Sequence, residues 1–176
     1  INIFNMQLLN RDETIQQSEK RLREMEEQLN IYAEELTVIR KANAIRLSEA
    51  IMNELRVLHM EKAKFIVNFE PLEQFDGNGK DNVAFYISTN VGEPPKSLPK
   101  IASGGELSRM MLALKTIFSS SNGITSIIFD EVDTGVSGRV AQAIAEKIAD
   151  ISANSQVLCI SHLPQVAAMA DQHYYI

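Results

Sequence analysis

The sequence predicts an α/β fold, a parallel sheet with flanking helices, preceded by a long coiled-coil helix and a β-hairpin. Three observations carry that expectation. Residues 14–58 contain neither Pro nor Gly and are crowded with strong helix formers. Two runs of alternating apolar residues flank a Gly/Asn-rich reversal. Finally, two short apolar runs separated by a helical segment each end in polar residues.

In the first segment Ile15, Leu22, Met25, Leu29, Tyr32, Leu36 and Ile39 follow alternating steps of three and four, with Ser18 at one seam position. That is a coiled-coil heptad pattern and it implies a partner helix. The apolar set resumes at Leu47, Ile51, Leu55 and Leu58 after a four-residue stutter. An amphipathic helix lying on a globular core is the alternative reading. Residues 11–64 hold ten basic and eleven acidic side chains, interspersed as on a solvated helical surface rather than a nucleic-acid stripe. Residues 1–10 match no pattern.

The period then changes to two, with Phe65, Val67 and Phe69 in one run and Val83, Phe85 and Ile87 in the other. Between them Asp76–Asp81 supplies residues that tolerate a reversal, so the pair reads as an antiparallel hairpin. Gly79-Lys80 resembles the end of a P-loop, but Gln74 stands in place of the first Gly and Asp81 in place of the Ser/Thr. No other segment of the chain fits that motif. Pro94, Pro95 and Pro99 break regular structure before the chemistry-bearing part.

Ser103-Gly104-Gly105-Glu106 forms an S-x-x-E capping box ahead of the apolar run containing Met110, Met111, Leu112, Leu114 and Ile117. The glycines would let an anion approach the exposed N–H groups of the helix start. A structural cap alone would have the same sequence. Ser126-Ile127-Ile128-Phe129 ends in Asp130-Glu131, a helix from about Ser137 to Ile151 follows, and Val157-Leu158-Cys159-Ile160 ends in Ser161-His162. A crossover of that length joins parallel strands, and continuous apolar runs suggest strands covered on both faces.

Ligands sit beyond the carboxyl ends of such strands, where Asp130, Glu131 and His162 emerge. An Asp there can bind magnesium, a neighbouring Glu can accept a proton from attacking water, and a His can hydrogen-bond a terminal phosphate oxygen. A polar strand end with a satisfied structural His is the plainer reading of each residue alone. Cys159 reads as a small core residue, not a nucleophile. As the lone cysteine it excludes an intrachain disulfide or multi-thiolate zinc site. A net charge of −6 argues against a nonspecific polyanion binder, and no apolar stretch approaches a membrane span or a secretory leader. A reducing, cytoplasmic setting is the expectation.

The segments 101–109, 128–142 and 159–167 together resemble an ATP-binding cassette of the SMC-like kind, close to the bacterial RecN DNA-repair family. The resemblance implies that residues 64–176 are the carboxyl-terminal lobe of an ABC/SMC-like P-loop ATPase head, and residues 1–63 the returning arm of its coil. It implies that Ser103, Gly104, Gly105 and Glu106 are a signature motif contacting ATP held by an opposite head. Asp130 would then be the Walker B ligand of Mg2+, Glu131 the catalytic carboxylate and His162 the switch histidine. Asp133, Thr134, Gly135, Val136 and Ser137 would form the D-loop at the head-to-head interface. The Walker A half, expected on an amino-terminal segment outside this chain, would be the lobe's partner. DNA would be held through the full-length protein, a bacterial, nucleoid-associated homodimer. Such a fragment would be inactive alone. Two rival readings are a non-catalytic coiled-coil scaffold and another SMC-like ATPase.

Overall fold

The computed structural model describes residues 3–100, 104–119, 125–130, 132–136 and 138–175. The chain divides into two compact units: Ile1–Asn43 with Glu70–Asn82, and Ala44–Phe69 with Val83–Ile176.

The first unit contains most of α1, which spans Ile3–Val57 and so begins well before Thr14, and the tip of the hairpin. The hairpin strands are longer than their alternation suggested, β1 covering Lys64–Asp76 and β2 Gly79–Ser88. Only Gly77-Asn78 remains as the loop. Its conformation is fixed by the Asn78 N–H donating to the Asp76 carboxylate at 2.7 Å and by Gly79 at φ +111°. The tip is tied to α1: the Thr37 hydroxyl donates to Asp81 at 2.6 Å, and Arg40 donates to the Asn78 carbonyl at 2.7 Å. Asp81, which rules out a P-loop here, is thus an anchor of the hairpin. The seam residues Ile15, Leu22, Met25, Leu29, Tyr32 and Ile39 are all exposed.

In the second unit the closing turns of α1 bury Ile51, Leu55 and Leu58 completely. A Schellman arrangement ends the helix: Met60 N–H donates to the Leu55 carbonyl, His59 N–H to that of Arg56, and His59 takes a left-handed φ of 56°. Here the inner ends of β1 and β2 pack Phe65 against Phe85, ring centroids 5.5 Å apart, and Ile87 is buried. Val83, expected on the apolar face, is exposed. A short edge strand, β3 (Lys96–Ser97), pairs antiparallel with β2, giving the order β1-β2-β3.

The rest of this unit is α2 (Gly104–Ser119), β4 (Ser126–Asp130), α3 (Gly138–Ser152), β5 (Gln156–Ile160) and the single turn α4 (Pro164–Ala167). Strands β4 and β5 are parallel, in register from Ser126 opposite Gln156 to Asp130 opposite Ile160, with α3 as the crossover. Ile144, Ala145, Ile148 and Ile151 of α3 and Met110, Leu112, Ala113 and Leu114 of α2 join Ile127 and Phe129 in one core. The expectation that both faces of these strands are covered fails within this chain. Ile127 and Phe129 are buried, whereas Ile128, Leu158 and Ile160 on the other face are exposed. No helix among the described residues is long and apolar enough to cross a membrane.

Candidate functional site

The parallel register delivers Asp130 and, one residue beyond Ile160, Ser161-His162 to the same end of the strand pair. Asp130 is exposed there. The chain then turns sharply: Val136 N–H donates to the Asp133 carbonyl at 3.2 Å, and Gly135 takes φ +71°, a conformation that favours glycine. The turn carries Asp133 inward, where its side chain is fully buried.

Two groups surround that carboxylate. The Ser161 hydroxyl donates to Oδ2, and the Leu163 N–H in turn donates to the Ser161 oxygen at 3.0 Å. His162 Nδ1 lies 3.8 Å from Oδ1, an oxygen that has no hydrogen-bond partner among the described residues. The imidazole itself is largely solvent-facing. Below it, burial and then the charge of Asp133 push the Cys159 thiol up to about 11, which keeps it protonated and unreactive.

The start of α2 reaches the same turn. A Cβ on Gly105 would sit 2.7 Å from the Thr134 carbonyl oxygen, so only glycine permits this approach of helix to turn. Gly104 faces open space. Arg109 fixes the first turn of α2 by donating to the Gly105 carbonyl at 3.3 Å and to the Leu58 carbonyl at 3.4 Å. The structure therefore gathers Gly105, Asp133, Thr134, Ser161 and His162, with Asp130 at the same strand end. Ser103, Glu131 and Ser137 lie outside the described residues. Sequence reasoning missed Ser161 as a partner of Asp133. The residues are 28 positions apart and only the parallel pairing joins them.

Of a magnesium-binding set, the described residues supply the exposed Asp130 carboxylate. Asp130 offers hard carboxylate oxygens, and among the described residues no three His, Cys, Asp or Glu side chains assemble a closed metal cage. Gly104, with open space where a side chain would stand at the first turn of α2, leaves room for a group to approach the helix start.

These elements have the fold of part of an SMC head domain. An Smc head domain with coiled coil and joint from Pyrococcus yayanosii superposes with a TM-score of 0.61, at 19% identity over 94% of this chain and 30% of that one. The Smc head with an extended coiled coil from Pyrococcus furiosus gives 0.57, at 19% identity over 94% of this chain and 39% of that one. Sequence relatives are nearer. The DNA repair protein RecN of Halalkalibacterium halodurans is 61% identical over 96% of this chain, and that of Bacillus subtilis 54% over 97%. RecN of Synechocystis is 42% identical over 97%. The chain belongs to the RecN family. It spans about a third of the length of these relatives, 31%, 32% and 29% respectively. No protein-family model matches the sequence.

Proposed function

We propose that this chain is the carboxyl-terminal part of an SMC-like ATPase acting in DNA double-strand-break repair and recombination, in which ATP draws two heads together and hydrolysis releases them. The observation that carries this reading is the meeting of the α2 start, the turn after β4 and His162 at one end of the parallel pair. Residues 64–176 supply the head lobe and residues 1–63 the returning coil. The exposed seam of α1 supports a missing partner helix, and the bare face of β4 and β5 supports a covering amino-terminal half carrying Walker A. DNA is engaged by the full-length homodimer, in the bacterial cytoplasm at the nucleoid.

In this reading Asp130 holds Mg2+, which neutralises charge on the phosphates. Glu131 accepts the proton of the attacking water, and His162 hydrogen-bonds the terminal phosphate. Ser103, Gly104, Gly105 and Glu106 present helix N-terminal donors to the nucleotide of the opposite head, and Asp133–Ser137 lie at the interface between heads. Energy from phosphate contacts on two heads offsets the entropy lost in pairing them.

The test is ATP turnover by the intact parent protein, with and without DNA. Glu131→Gln should lower turnover by about a hundredfold or more while ATP affinity stays within about threefold. Equal loss of both would make Glu131 a binding or folding residue, and a wild-type parent that releases no phosphate would leave a scaffold. The isolated 176-residue chain should neither bind ATP tightly nor hydrolyse it.

A further inference from the structure

We propose that Asp133 is a positioning residue for His162: its Oδ1 holds Nδ1–H of the imidazole and so turns Nε2 outward to the nucleotide side. The functional part of this inference rests on the ATPase reading above.

Asp133 is fully buried, and a buried carboxylate is tolerated only when its oxygens find donors. Oδ2 has one, the Ser161 hydroxyl, whose own oxygen is fixed by the Leu163 N–H. That relay pins the plane of the carboxylate and fixes where Oδ1 points. Oδ1 has no partner among the described residues, and the imidazole Nδ1 stands 3.8 Å away.

That separation exceeds a hydrogen bond by about 1 Å. The ring, 68% exposed, has room to close it by a small side-chain rotation, whereas the buried carboxylate does not. Once the contact closes, the last buried oxygen is satisfied and the tautomer is set, because the nitrogen that donates to the carboxylate carries the proton. Nε2 is then left as the outward atom: bare in the neutral ring, it donates to a phosphate oxygen only when it carries a second proton, and the Asp133 carboxylate then balances the charge of the imidazolium. Asp133 also belongs to the turn whose next carbonyl, that of Thr134, backs onto Gly105. A shift of the α2 start would therefore be felt at the residue that aims the histidine.

Two measurements test this. The chain has three histidines, so selective 15N labelling of the ATP-free 176-residue protein, with His162→Gln for assignment, resolves the His162 ring. At mildly alkaline pH the ring should show the Nδ1–H tautomer, shifting toward Nε2–H in Asp133→Asn, which retains an acceptor for Ser161 but presents a donor to the ring. A wild-type ring dominated by Nε2–H overturns the proposal, and this reading requires neither nucleotide nor a folded variant.

In the intact parent, Asp133→Asn should lower kcat at least about tenfold with KM for ATP within about threefold. In a His162→Ala background the same change should cost less than about twofold, because its effect runs through the ring. An equal loss in both backgrounds assigns Asp133 a merely structural role and overturns the proposal. Absence of ATP hydrolysis by the wild-type parent instead removes the ATPase reading and leaves the ring spectrum to decide the contact.

Discussion

The two faces of the β4–β5 pair carry the same kind of residue and meet opposite fates. On one face Ile127 and Phe129 are buried under α2 and α3, and Lys115 of α2 places its ammonium 4.8 Å from the centroid of the Phe129 ring. On the other, Ile128, Leu158 and Ile160 are 60%, 52% and 57% exposed. The contrast teaches that apolar content marks where a strand can be buried, while the partner that buries it has to be supplied separately. A parallel contrast runs along α1, whose heptad seam is bare except at the half-buried Leu36 and whose final apolar turns are sealed.

The contrast breaks hardest at Phe129. Phe129→Ala should destabilise the chain by about 3–5 kcal/mol, read as a shift in the urea midpoint with an unchanged slope. A loss below about 1 kcal/mol would mean that the sealed face is no better packed than the bare one.

How much of this the sequence disclosed depends on the range of the interaction. The strand, helix, strand order was legible because Ser126–Phe129 and Val157–Ile160 are short apolar runs with a helical period between them. Which face of those runs this chain covers was not legible, since alternation is absent when both faces are apolar. The outer half of β1, with Glu70, Pro71 and Glu73, does not carry on the apolar alternation of Phe65, Val67 and Phe69, although the strand continues to Asp76. At the site, Asp130 and His162 stood out as polar residues at strand ends. The burial of Asp133 and its bond to Ser161 depend on register between strands far apart in sequence, which no local pattern encodes.

The next sharpening concerns Cys159, on the covered face. Burial and the Asp133 charge raise its thiol from an ordinary 9.0 to about 11, so near pH 8 the reactive thiolate should be about a hundredfold scarcer than in the unfolded chain. Iodoacetamide should accordingly label the native chain about a hundredfold more slowly than the urea-unfolded chain. Asp133→Asn should speed native labelling, since one of the two causes is gone, while leaving it slower than in urea, since burial remains. Equal native and unfolded rates would place the thiol in open solvent and dissolve the distinction between the faces.

The smallest effect is expected on the bare face, and it separates the chain from its parent. Leu158→Thr keeps a residue suited to strands and removes apolar surface that already meets water, so stability of the 176-residue chain should move by no more than about 0.5 kcal/mol. In the intact protein the same substitution meets a different environment if an amino-terminal half covers these strands. It would then bury a hydroxyl and forfeit apolar contact, costing about 2–4 kcal/mol. Denaturation midpoints of both proteins, each with and without the substitution, make the comparison. A small effect in both would show that Leu158 stays exposed in the parent, and the proposed amino-terminal half would then not cover this sheet.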